Sequence, residues 1–128
     1  VLIISESGIV EAVVPEAEVS GEIETVSGTL LPGLINCHCH LELSHLKGIV
    51  SERTGLVPFL STIIAQRSPF TAAKEEAIQD AERELFQNAI VAVADICNTT
   101  DAIGVKRESS IQWHNLVEVS NLRDAALP

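Results

Sequence analysis

A chain of 128 residues is long enough for one domain with a real core, and 46% hydrophobic against 20% charged residues argues against disorder. The 18 acidic and 8 basic residues give a net charge of −10, which repels polyanions and makes nucleic acid a poor partner. No apolar run reaches the roughly 18–20 residues that span a bilayer, so no membrane association is expected.

Val1–Ser5 and Ile9–Val14 are short β-branched runs joined by Glu6-Ser7-Gly8, a pattern that predicts a β-hairpin. The start has no basic region and no cleavage site, so no signal peptide is expected; the missing initiator Met suggests a trimmed N-terminus. Pro15–Gly21 is an acidic loop, and the alternation across Glu22–Val26 predicts a third strand. With no helix between these strands, residues 1–30 are expected to form a small antiparallel sheet, distinct from residues 31–128.

From Thr29 the pattern changes. A Pro32-Gly33 turn precedes a compact strand from Leu34 to Leu41, and Glu42–Gly55 is polar and irregular. Val57–Gln66 is a helical stretch with Pro58 in its first turn. Ala72–Ala89 is the strongest helix, with Thr71 as N-cap and Ala77, Ala81, Leu85 and Ala89 recurring beside Ile78 as its apolar face. Lys74, Glu75, Glu76, Glu82, Arg83 and Glu84 form its solvated face. Ile90–Ile96 is a strand buried on both sides, Asp101–Val105 a short helix, and Ile111–Val119 a further strand; Arg123–Pro128 ends mid-element. Strands alternating with helices imply a parallel α/β sheet. The scarcity of aromatics (three Phe, one Trp, no Tyr) fits a Val/Ile/Leu/Ala core covered by helices.

Chemistry concentrates in Cys37-His38-Cys39-His40. Residues two apart on a strand share a face, so both imidazoles point one way, with Cα atoms about 6.6 Å apart. From that separation their nitrogens can meet one Zn²⁺ at about 2.0–2.1 Å. Cys37, Cys39 and Leu41 fall on the opposite face. The plain alternative is a pair of surface histidines. Against it, the pair ends an apolar strand and is followed at once by loop-like sequence, which is where parallel α/β folds gather active-site groups. Three cysteines, Cys37, Cys39 and Cys97, make no disulfide framework; free thiols and a cytoplasmic location are expected.

The run Gly28-Thr29-Leu30-Leu31-Pro32-Gly33-Leu34-Ile35-Asn36-Cys37-His38-Cys39-His40, behind an antiparallel segment, resembles the opening of amidohydrolase-superfamily enzymes. Its extension Leu41-Glu42-Leu43-Ser44-His45-Leu46-Lys47-Gly48 looks most like the deaminase and chlorohydrolase branch, closest to aminodeoxyfutalosine-deaminase-like proteins. The resemblance implies a (β/α)8 TIM barrel, here only about its first three strands, preceded by part of a small β-sandwich. It implies that His38 and His40 bind one divalent metal ion, Zn first and Fe, Mn or Ni as alternatives. Metal-activated water would then deaminate a nitrogen heterocycle, a small-molecule substrate.

The family's remaining metal and catalytic residues lie on later strands, so this chain is expected to be an N-terminal fragment without activity of its own. It would associate with the missing part or form a homo-oligomer. Glu42, His45 and Phe59 are candidates for substrate contacts, against plain readings as loop and core residues. Asp95, at a strand end, is either a loop cap or a partner for a ligand histidine; His114 and Trp113 read as structural. Two other functions are open: cyclic-amide hydrolysis of the hydantoinase or dihydroorotase kind, and a non-catalytic α/β interaction domain.

Overall fold

The computed structural model describes residues 1–119. The sequence element expected at Arg123–Pro128 lies outside them. The chain divides into a unit of Val1–Leu31 and a second unit from Pro32 onward.

The first unit is a hairpin of β1 (Leu2–Ile4) and β2 (Val10–Val13), paired antiparallel with one irregularity between Ile3 and Ile4. Its turn closes through Ser5 N donating to the Ile9 carbonyl at 2.9 Å, and Gly8 takes the positive φ of 81° that the bend requires. A short 3-10 turn, Glu16–Glu18, comes next. The strand expected over Glu22–Val26 is absent. Alternation marks a face but supplies no partner, and no described strand offers residues 22–26 a ladder. The unit is thus a two-stranded sheet rather than a sandwich.

The second unit holds β3 (Leu34–Cys39), β4 (Ile90–Cys97) and β5 (Gln112–Val117), parallel and in that spatial order. Between β3 and β4 lie a 3-10 helix (Leu41–Leu46), α1 (Leu56–Gln66) and α2 (Ala72–Gln87); α3 (Ile103–Glu108) joins β4 to β5. The protein is therefore mixed α/β, with one antiparallel and one parallel sheet. No helix among the described residues is long and apolar enough to cross a membrane.

The polar segment after the histidines opens as a 3-10 helix (Leu41–Leu46) and is irregular, as expected, only from residue 47 to 55. Leu41, Glu42 and Leu46 are buried as the 3-10 helix packs against α2. The core joins Leu41, Ile78 of α2 and Ala102, flanked by Cys39, Ala81, Leu85, Val105 and Trp113.

The Thr71 side chain caps α2 by accepting from Lys74 N at 3.2 Å. The buried stripe keeps Ile78, Ala81 and Leu85 of the expected one and differs at its two ends. Lys74, Ile78, Ala81 and Leu85 share it, because a true 3.6-residue period steps four, three, four rather than four throughout. Ala89 has left the helix at φ 60°, and Lys74 is not solvated: its ammonium meets Asp101 at 2.6 Å. Pro32-Gly33 is no turn. A Cβ on Gly33 would overlap the Val91 side chain, so glycine here permits close approach of β3's entry to β4.

One face of the parallel sheet carries α2 and α3. On the other, Ile35 is 67% exposed and Leu116 is 43% exposed, and the register of Ile35 with Ala92 and of Ile96 with Leu116 places them on a common side.

Candidate functional site

The C-terminal end of β3 does not follow simple alternation. Asn36 pairs with Val93, but Cys39 pairs with Asp95, so three steps on β3 match two on β4. That extra residue is a β-bulge at Cys37-His38. Partnered residues in a parallel ladder share a face, so Asn36 and Cys39 both lie on the helix-covered side with Val93 and Asp95. An unbroken strand would set His38 and His40 on the same side as Asn36. The bulge turns them the other way, with ring centroids 5.1 Å apart and the planes at 73°. Asn36 Oδ1 accepts a hydrogen bond from His38 N at 3.1 Å, inside the bulge.

Two buried carboxylates pin the backbone beyond the histidines. Asp95, at the end of β4, accepts from Leu41 N at 2.8 Å through Oδ1 and meets Lys106 Nζ through Oδ2. The same ammonium reaches Asn115 Oδ1 and lies 5.2 Å from the centre of the Trp113 ring. Asp95 therefore caps the 3-10 helix and does not touch a histidine nitrogen. Glu42 is only 2% exposed, and its carboxylate accepts from Asn98 N, from Thr99 N at 2.8 Å and from the Thr99 hydroxyl at 2.7 Å. Those bonds tie the β4–α3 loop to the 3-10 helix and leave Glu42 off the cavity wall, not at the substrate position expected for it.

His40 lines a cavity of about 450 Å³. Its apolar wall includes Leu43, Leu46, Phe59, Leu60 and Ile63, and its polar rim is Arg67, Asn98 and Glu118. Arg67 donates to Asn98 Oδ1 at 2.8 Å, and Asn98 Nδ2 donates to the Glu118 carbonyl at 2.8 Å. Phe59 shares a wall of this cavity with His40. His45 does not: its Nδ1 turns back to the Glu42 carbonyl at 3.2 Å. A larger groove of about 560 Å³ between α2 and α3 is lined by Glu75, Glu82 and Glu108 and offers no imidazole or thiol. The smaller cavity is the candidate site for that reason.

His40 Nδ1 is buried without a hydrogen-bond partner among the described residues. An orphaned buried nitrogen beside a second imidazole fits a metal ion, and His38 and His40 are the side chains that would hold it. The fit is partial. Among the described residues no group of three His, Cys, Asp or Glu side chains can hold an ion. His114 is exposed on β5, in register with Ala94 and two strands from β3, about 10 Å away.

Two of the thiols are not donors to that site. Cys39 packs against the core, and its pKa is pushed up to about 12, chiefly by burial and then by the charge and hydrogen bond of Asp95. Lys106 and the His40 backbone oppose that shift only in part. Cys97 is buried with its Sγ 3.8 Å from the Leu116 carbonyl. At pH 8, iodoacetamide should alkylate exposed Cys37 and spare Cys39 and Cys97 in the folded chain, as read by peptide mass spectrometry. The folded state holds the Cys39 proton more tightly than the unfolded chain, whose thiol titrates near 9.0. The stability from that site is complete below about pH 9 and is lost as pH climbs towards 12.

The Lys106 tether, the Arg67–Asn98–Glu118 rim and the bulge went unread in the sequence. Each depends on partners more than 10 residues away, and no local spacing marks them. The chain matches no known protein family, no curated protein and no solved structure.

Proposed function

We propose that the unit from Pro32 onward is the opening of a (β/α)8 barrel of an amidohydrolase-type enzyme, and that His38 and His40 are the first half of its metal site. The observation that carries this reading is the histidine pair itself: two imidazoles turned off the helix-covered face at the C-terminal end of a parallel strand, one with an orphaned nitrogen above a cavity. The uncovered sheet face supports the barrel, since parallel sheets are ordinarily covered on both sides and a barrel lines that face with its own side chains.

Held there, a divalent metal ion, Zn first, would supply Lewis acidity and lower the pKa of water. The chain's own residues bind and orient. His38 and His40 give nitrogen donors, and Phe59 offers a flat apolar surface to a planar nitrogen heterocycle. The Arg67–Asn98–Glu118 rim supplies donors and acceptors for the polar edge of such a substrate. Hydrolytic deamination is the reaction this set fits. The alternative of cyclic-amide hydrolysis has no separate observation in its favour.

Calorimetric titration of the metal-stripped chain with zinc tests the reading. One weakly bound ion per chain is expected, with affinity falling at least about tenfold in both His38→Ala and His40→Ala. Zinc binding unchanged in both variants removes the metal assignment. With two ligands among the described residues, the chain should release no ammonia from heterocyclic amines, and metal-dependent turnover by it would refute the half-site reading.

A further inference from the structure

We infer that Asn36 is a positioning residue: by accepting from His38 N it holds the β-bulge that turns His38 and His40 off the helix-covered face of the sheet. Its importance for metal binding rests on the proposed function, but the orienting role stands on geometry alone.

A bulge leaves one residue's backbone groups out of the ladder, and those groups need another partner or water. Here the register jumps from Asn36↔Val93 to Cys39↔Asp95, so Cys37 and His38 lie between two pairings. At 3.1 Å, the Asn36 side chain supplies the acceptor for His38 N. A carboxamide or carboxylate on a short stem is the side-chain type that bonds to the backbone two residues on. The far side of the bulge is held separately, because Asp95 accepts from Leu41 N and Cys39 is packed into the core. With both flanks fixed on the helix-covered side, the two residues between must take up the extra length, and the histidines turn outward. Without the bond, the simplest relaxation is a regular strand, which carries His38 towards the Asn36 side.

The test uses the metal-free full chain, isotope-labelled for NMR, with Asn36→Ala and Asn36→Asp. In the parent, the His38 and His40 rings should show a mutual nuclear Overhauser effect, given centroids 5.1 Å apart. In Asn36→Ala the His38 ring should gain nuclear Overhauser effects to the Val93 side chain on the helix-covered side, and the His38 amide should exchange with solvent about five to ten times faster. The Val93 amide on β4 serves as the internal reference and should not change. Asn36→Asp keeps the acceptor oxygen and should match the parent in both readouts.

A His38 ring still turned away from Val93, with unchanged His38 exchange, in Asn36→Ala would overturn the inference. So would equal acceleration at Val93, because Asn36 would then support the sheet in general. Zinc affinity distinguishes the two proposals. A parent chain that binds no zinc, with the amide and ring effects present, sinks the metal reading and leaves the orienting role standing. Where zinc does bind, Asn36→Ala should weaken it about tenfold and Asn36→Asp should not.

Discussion

Asp95→Ala should lower folding stability by about 3–5 kcal/mol, measured as a shift of the urea midpoint followed by circular dichroism. Asp95 is fully buried and the Lys106 side chain is only 6% exposed, so the pair sits where water screens little. Removing the carboxylate leaves an ammonium with one amide oxygen and an aromatic face for company. It also strips the acceptor from Leu41 N at the start of the 3-10 helix. A loss of that size is a large fraction of the stability of an ordinary domain. The double variant Asp95→Leu with Lys106→Met should recover most of it, because no charge is then left unpaired. A single variant within about 1 kcal/mol of the parent, on the order of a surface substitution, would show that water reaches Lys106 and that the pair is not buried in solution.

Glu42→Ala should cost about 2–3 kcal/mol and speed amide exchange at Asn98 and Thr99. The carboxylate is the shared acceptor for two backbone N–H groups and a hydroxyl, and alanine satisfies none of them. Glu42→Gln keeps one oxygen and should lose about half as much. If Glu42 faced a substrate instead, Glu42→Ala would leave the fold stable and these amides protected. Exchange measurements on the two amides therefore separate a structural carboxylate from a binding one.

Much of the second unit is legible in the sequence. The β-branched run at 90–96, the Thr71 cap and the compact strand at 34–41 give three elements to within two residues. The histidine strand was legible as a pair on one side. Which side could not be read, because alternation is counted along one strand while the bulge is a mismatch between two. Leu41, Leu43 and Leu46 fit neither a period of 2 nor one of 3.6, so the 3-10 helix passes for a loop. Lys74 reads as solvated and Glu42 as a substrate contact or loop residue because charge type predicts access to water or ligand, and each is buried against a partner that local sequence does not reveal. In the first unit, residues 22–26 have the pattern of a strand without the neighbour that would make one.

The two carboxylate tethers also bear on the order of assembly. Leu41 and Asp95 are 54 positions apart in the chain, and Glu42 and Thr99 are 57 apart. Contacts of that span close large loops and are entropically slow to form. A synthetic peptide copying Leu30–Gly48 contains every letter of the histidine motif yet none of the groups that hold its backbone from β4. It would present two imidazoles in a fluctuating coil. The spatial motif belongs to a pair of strands, and it comes into being only once β4 has docked beside β3.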